Sequence, residues 1–205
     1  MNAEQQKRVL LLIIALAFGA LYLTGGSVWD DHDLIDVYLR KQGLLALWMQ
    51  PVGGGEVGQG YYRPLALSCM ALLGGTSAIH CAAMILHSVS VGLLYTQLKE
   101  QPGGFYAALI FAVHPLCSEV LGWASAFPDI LALHLGLWAA YLLGRERWVS
   151  CALVLTLGLL CKENAALPVL ALAMVSGRNL RLWLMLIVLG GGYLGLRHMV
   201  GVGGV

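Results

Sequence analysis

The sequence predicts an all-α integral membrane protein, with about seven transmembrane helices and a large first outer loop carrying two interfacial helices. Three observations lead there. Only 11% of the 205 residues are charged, against about 25% in a soluble domain. Apolar residues make up 59% of the chain and mean hydropathy is +0.78. Long uncharged runs alternate with short charged punctuation, the pattern of spans joined by loops. This composition excludes a disordered chain, an ordinary cytosolic globule and a nucleic-acid binder with a basic footprint.

The first run, Val9 to Trp29, is uncharged and follows Lys7-Arg8. Leu23-Thr24-Gly25-Gly26-Ser27 is a poor small-x-small cleavage site, so the run reads as an uncleaved anchor. Residues 25–76 then form a polar outer loop with Asp30, Asp31, Asp33, Asp36, Arg40, Lys41, Glu56 and Arg63. Further spans are expected over 77–98, 104–122, 129–143, 149–161, 164–177 and 182–196. The fifth and sixth spans fall short of the ~20 residues of a full crossing. Lys162-Glu163 between them marks a tight helical hairpin partway into the bilayer, with one long helix holding a buried ion pair as the alternative. No internal repeat is visible.

Cation placement sets the orientation. Lys7, Arg8, Lys99, Arg145, Arg147, Arg178 and Arg181 crowd the short segments 1–8, 99–103, 144–148 and 177–181. Arg40, Lys41, Arg63, Lys162 and Arg197 are spread over much longer segments on the other side. The positive-inside rule therefore puts the N-terminus in the cytoplasm. A crossing by the apolar residues 64–75 would reverse that bias, so they are laid on the outer surface as an interfacial helix. Residues 33–49 read the same way, with Leu34, Ile35, Tyr38 and Leu45 sharing a face. Gly53-Gly54-Gly55, Gly58 and Gly60 form a flexible link between the two.

The carboxylates segregate oppositely. Glu4, Glu100 and Glu146 are inside, whereas Asp30, Asp31, Asp33, Asp36, Glu56, Glu119, Asp129 and Glu163 are outside or at outer helix ends. Unpaired carboxylates at span ends are costly. Either each is solvated at the interface, or they line one polar cavity with His114, Lys162 and Arg197 as neutralising partners. Such a cavity suits chemistry on a phosphorylated or hydroxylated substrate arriving from the lipid. In Asp30-Asp31 the adjacent carboxylates repel, which favours one as general base for a hydroxyl; the competing role is an N-cap for the 33–49 helix.

Other candidates have simpler readings. His80 and His87 lie two turns apart on one helix face, as hydrogen-bonded interface residues rather than metal ligands. Pro115 after His114 frees a carbonyl and kinks the helix, with Glu119 a turn above. Cys69, Cys81, Cys117, Cys151 and Cys161 show no CxxC spacing and read as small buried thiols.

The ordered set resembles a known family. It comprises Asp30-Asp31 after the first span, Tyr62-Arg63-Pro64-Leu65 with Leu67-Ser68, and His80 with His87. His114-Pro115 with Glu119, Asp129, Lys162-Glu163 and Arg197 complete it. Over residues 22–200 it resembles the N-terminal half of GT-C glycosyltransferases, in particular the protein O-mannosyltransferase-like group that includes tetratricopeptide-bearing membrane mannosyltransferases. The resemblance implies a single GT-C-like module spanning 1–205, with 25–76 as catalytic outer loop and the C-terminal part of a full-length member lacking. It implies transfer of a sugar from a polyprenyl-phosphate donor to a protein, lipid or glycan acceptor, facing the periplasm, cell exterior or lumen. Asp30 or Asp31 would be the base of an inverting attack. Lys162 and Arg197, then Arg63, would stand near the departing phosphate, and His114, Glu119, Asp129 and Glu163 would join them as substrate- or phosphate-binding residues. Ala83, Phe127 and Cys161 depart from the family's asparagine, arginine and serine.

No metal is expected to be obligatory, although a divalent cation would find oxygen ligands if Asp30, Asp31, Glu119 and Asp129 converged. Two other functions fit the same sequence: a catalytically inert GT-C-like subunit or fragment that assists a partner enzyme, and a transporter-like bundle. Carboxylates gathered at one face, instead of along a path through the bilayer, argue against the transporter.

Overall fold

The computed structural model describes residues 2–52, 60–175 and 180–202. The expected linker Gly53-Gly54-Gly55 and Gly58, the outer acid Glu56 and the inner cation Arg178 lie outside the described residues. Among them every regular element is helical, apart from one isolated antiparallel bridge between Val52 and Tyr61.

Helix α1 (Ala3–Ala20) starts at a reciprocal cap: the Gln5 amide donates to Asn2 Oδ1 at 2.8 Å and the Asn2 amide to Gln5 Oε1 at 3.0 Å. Two amides that a helix start leaves unpaired are thereby satisfied. The helix ends well short of Trp29, where the expected first span was to end, because Thr24-Gly25-Gly26-Ser27 disfavours helix. The segment that follows, expected as the outer loop, contains a π-helical stretch (His32–Leu39), α2 (Leu44–Met49) and α3 (Pro64–Leu73). Gly43 divides the expected 33–49 helix in two. Leu34, Ile35, Leu39 and Leu47 are buried, whereas Leu45 is 71% exposed and does not share their face. The wider π spacing and the break at Gly43 shift the register after Tyr38. Residues Ala66, Leu67 and Met70 of α3 are buried too. The loop thus builds its own apolar core on the end of the bundle, against Ile79, Ala83, Leu121, Phe127 and Ile130.

Helix α4 (Thr76–Leu98) runs antiparallel to α1. The Tyr95 hydroxyl near its end donates to Glu4 Oε2 at 2.7 Å. Near the other end of α1, Gly19 lies so close that an added Cβ would stand 2.5 Å from Met84 Cγ. Small residues allow this backbone approach where the hydrophobic effect does not drive helices together.

Helices α5 (Gly104–Val113) and α6 (Pro115–Gly122) are bent 46° at His114. Proline has no N–H for the Phe111 carbonyl and its ring excludes a straight helix. In an unbroken helix the Leu116 amide would serve the Ala112 carbonyl. Instead that amide donates to His114 Nδ1 at 3.2 Å, and His87 Nε2 donates to the Ala112 carbonyl at 3.0 Å. The same device operates one helix later, where His80 Nδ1 donates to the Leu121 carbonyl at 2.7 Å. The two histidines of α4 therefore satisfy both interruptions of the neighbouring helical run.

A 3₁₀ turn (Ala124–Ala126) leads into α7 (Phe127–Leu143), followed by α8 (Trp148–Leu159), a 3₁₀ turn (Glu163–Ala166), α9 (Leu167–Val175) and α10 (Leu180–Met199). The chain turns back at 160–163, which fits the hairpin reading of Lys162-Glu163. Gly136 and Gly158 make room for that turn: Ala165 packs against both, and a Cβ on Gly158 would stand 2.7 Å from Ala165 Cβ.

Among the described residues three helical segments are long and apolar enough to cross a membrane: Thr76–Leu98, Ala124–Leu143 and Leu180–Met199. The bent α5–α6 pair makes a fourth if it is one span. Helix α8, of 12 residues, is only about 18 Å long, roughly half of a ~30 Å hydrocarbon core. Large apolar side chains such as Ile13, Ile85, Ile110, Leu153 and Ile187 are exposed on the helices. These are the features of an integral membrane protein.

Candidate functional site

Ala20, Thr76, Gly122, Phe127, Leu159, Glu163 and Met199 all belong to one end of the bundle, where the outer loop packs. Contacts across it establish the juxtaposition. Ser27 Oγ lies 3.2 Å from Thr76 Oγ1, Trp123 Nε1 donates to Asp30 Oδ1 at 2.9 Å, and the Tyr193 hydroxyl donates to the Tyr62 carbonyl at 3.0 Å. Most of the residues anticipated from the sequence lie here.

The two aspartates have different surroundings. Asp31 is fully buried and accepts three backbone amides: Ser125 at 2.7 Å, Ala124 at 3.3 Å and Val28 at 3.0 Å. Ala124 and Ser125 begin the helical run 124–143, so the carboxylate sits at its positive end. The expected N-cap of the 33–49 helix is therefore absent: Asp31 makes no side-chain bond to the π-helical stretch it precedes, because its oxygens are committed to this distant helix start. Asp30 is half-buried. One oxygen is held by Trp123, and its other oxygen has no hydrogen-bond partner among the described residues. Trp29, just before, has a φ of 50°, a costly left-handed conformation for a tryptophan. Its ring packs edge-on against Trp123 at 4.9 Å.

Arg63 stacks on Tyr61, 4.4 Å from the ring centroid, and its Nε is buried without a partner among the described residues. Burial pushes the Tyr61 phenol above its usual range; Arg63 partly offsets this and Asp30 adds to it. Asp30, Tyr61 and Arg63 thus share one electrostatic neighbourhood.

A second group lies at the start of α7. Lys162 Nζ donates to Asp129 Oδ2 at 2.7 Å and Asn164 Nδ2 to Asp129 Oδ1 at 3.0 Å. Arg197 Nη1 stands 3.8 Å from Glu163 Oε1, a loose contact with an exposed carboxylate. Beside this group a cavity of about 520 Å³ runs down between α5–α6, α7 and α9. Its walls are apolar, including Phe111, Leu133, Leu137 and Leu167, while Asp129 and Asn164 form its polar end and His87 lies deeper.

His114 and Glu119 are not drawn into either group. His114 caps α6 at the kink and Glu119 is exposed on α6; no hydrogen bond or ion pair joins them to the other candidates among the described residues. Nor do three His, Cys, Asp or Glu side chains converge as a metal-ion set there. Trp123 and Asn164, hydrogen-bonded to Asp30 and Asp129, are the partners that sequence reasoning missed. Tryptophan at a helix end is a general interfacial signal, but nothing in the pattern pairs it with Asp30.

No family model, curated protein or solved structure matches the chain.

Proposed function

We propose that the chain is a membrane glycosyltransferase module of the GT-C kind, moving a sugar from a polyprenyl-phosphate carrier to an acceptor hydroxyl outside the cytoplasmic leaflet. The observation that carries this reading is the asymmetry of Asp30 and Asp31. One carboxylate is spent on backbone amides, and the other is held at a single oxygen by Trp123, its second oxygen having no partner among the described residues.

In this reading Asp30 takes the proton of the acceptor hydroxyl. The hydroxyl oxygen attacks the anomeric carbon from the face opposite the phosphate. The bond from that carbon to the phosphate oxygen breaks, and the electron pair leaves with the lipid phosphate. Lys162, Arg63 and Arg197 stabilise the departing charge. Asp31 is a positioning residue that fixes the loop bearing Asp30. The apolar cavity ending at Asp129 and Asn164 accommodates a stretch of isoprenoid chain with its head towards Lys162. The seven segments α1, α4, α5–α6, α7, α8, α9 and α10 cross or enter the membrane, with the N-terminus cytoplasmic and residues 21–75 outside.

A second reading, a catalytically inert subunit, is favoured by one observation: Lys162 is already neutralised by Asp129 at 2.7 Å. Transfer of labelled sugar from polyprenyl-phosphate donors by the full chain in liposomes separates the two. The enzyme reading expects transfer that falls about 10²–10⁴-fold in Asp30→Asn. Absence of transfer by the folded wild type across the donor series establishes the inert reading.

A further inference from the structure

The opposite end of the bundle holds a second, smaller cavity with its own chemistry. It has a volume of about 240 Å³ and is lined by Thr96, Gln97, Tyr141, Gly144, Arg145 and Leu172. That is far more than the ~30 Å³ share of one water. Its polar groups are mostly committed. The Thr96 hydroxyl donates to the Gly92 carbonyl at 2.7 Å and the Gln97 amide to the Leu137 carbonyl at 3.3 Å. Arg145 is different: its guanidinium lies 4.9 Å over the Tyr141 ring and makes no ion pair with a carboxylate among the described residues. Of the acids at this end, Glu4 pairs with Lys7 and Glu100 with Lys99, while Glu146, next in sequence, is exposed and makes no ion pair with Arg145.

The surroundings are those of a membrane interface. Trp138, Tyr141 and Arg145 form a ladder: the two rings meet edge-on at 5.7 Å and the cation stacks on the second. Aromatic rings followed by a cation are the usual sequence of groups from lipid tails to headgroups. Trp138, Met174 and Val175 are exposed apolar side chains at this end, and Leu172 forms a wall of the cavity. A phosphate entering beside Arg145 would have acyl chains against these residues.

The geometry points to a binding site for the phosphate of an anionic phospholipid, held by Arg145 in the cleft between α4, α7 and α9. It is a site for a structural lipid of the leaflet at this end, separate from the chemistry proposed at the other. The occupant is a lipid and not a free anion, because the exposed Arg145 guanidinium lines a cleft that opens beside exposed apolar surface. Arginine suits it, as its planar fork binds phosphate while its face stacks on tyrosine.

The test uses the full chain in detergent, titrated with phosphatidylglycerol, phosphatidylcholine or inorganic phosphate, with bound lipid counted by native mass spectrometry and Tm followed in parallel. Phosphatidylglycerol is expected to bind and raise Tm more than phosphatidylcholine, with inorganic phosphate giving no shift. Arg145→Gln is expected to weaken phosphatidylglycerol binding about fivefold, while Arg181→Gln, a cation stacked on Trp148 outside the cavity, changes it less than about twofold. Gly144→Leu keeps every charge and fills the cleft, and is expected to lose binding as well. Equal response to both lipids, equal loss in the two arginine variants, a shift with inorganic phosphate alone, or retained binding in Gly144→Leu would each overturn the site.

Discussion

The Asp31 carboxylate accepts the Ser125 amide at 2.7 Å, across 94 positions of sequence. With Ala124 and Val28 it closes a helix start that would otherwise carry unpaired amides in a dry environment. It also fixes where Asp30 points, because the adjacent residue inherits the orientation of the turn.

Substituting Asp31 should therefore act on stability. Asp31→Ala leaves buried amides without partners and is expected to cost about 3 kcal/mol, read as a lowered Tm in detergent. Asp30→Asn keeps the Trp123 contact within reach and should leave Tm close to wild type, while the proposed transfer falls about 10²–10⁴-fold. Equal destabilisation by Asp30→Asn would remove the division of labour between the two.

Helix packing gives a second prediction. A Cβ at Gly136 would collide with the Ala165 carbonyl oxygen, whereas nothing lies within 4 Å of one at Gly190. Gly136→Ala should destabilise by about 1–3 kcal/mol, and Gly190→Ala should be neutral or stabilise by up to about 1 kcal/mol. Unfolding of the two variants side by side checks the sign of each.

Glu4 gives a pH dependence. Its hydrogen bond from Tyr95, and then that from Lys7, hold the carboxyl below its ordinary value of 4.5. A lowered folded value means the contribution is complete above 4.5 and is lost as pH falls through the folded value. Protection of the amides at the start of α1 against exchange, taken relative to their intrinsic rates, should fall on acidification below that range, and Glu4→Gln should remove the pH dependence of that protection. Unaltered pH dependence in Glu4→Gln would assign the effect elsewhere.

Orientation is open to direct measurement. In a variant without its native cysteines, a cysteine placed at Glu146 should react with a membrane-impermeant maleimide only from the cytoplasmic side. One placed at Asp33 should react only from the other side. Labelling of both from the same side would break the proposed topology, and each reacting only from the opposite side would invert it.

Much of the fold was legible locally. Proline after His114 announced the 46° bend, and the run of charges at 162–163 marked the turn between α8 and α9. Hydropathy located most of the helices because burial in lipid imposes a long apolar run whatever the neighbours are. Boundaries were less legible: α1 stops at Ala20 and Gly43 splits the loop helix, since glycine costs accumulate differently in each context.

The candidate site divides along the same line. Sequence alone determined that most acids lie towards one end of the helices and most cations towards the other, and that Asp30 and Asp31 follow the first apolar helix. Only the tertiary structure decided which aspartate is committed to Ser125 and which is held by Trp123, and that Lys162 and Asn164 meet on Asp129. Hydropathy and periodicity are sums over neighbouring residues, so a linear pattern carries them. A hydrogen-bond partner is chosen by whichever unpaired backbone amide the packed chain brings within 3 Å, and that choice does not exist until the helices are assembled.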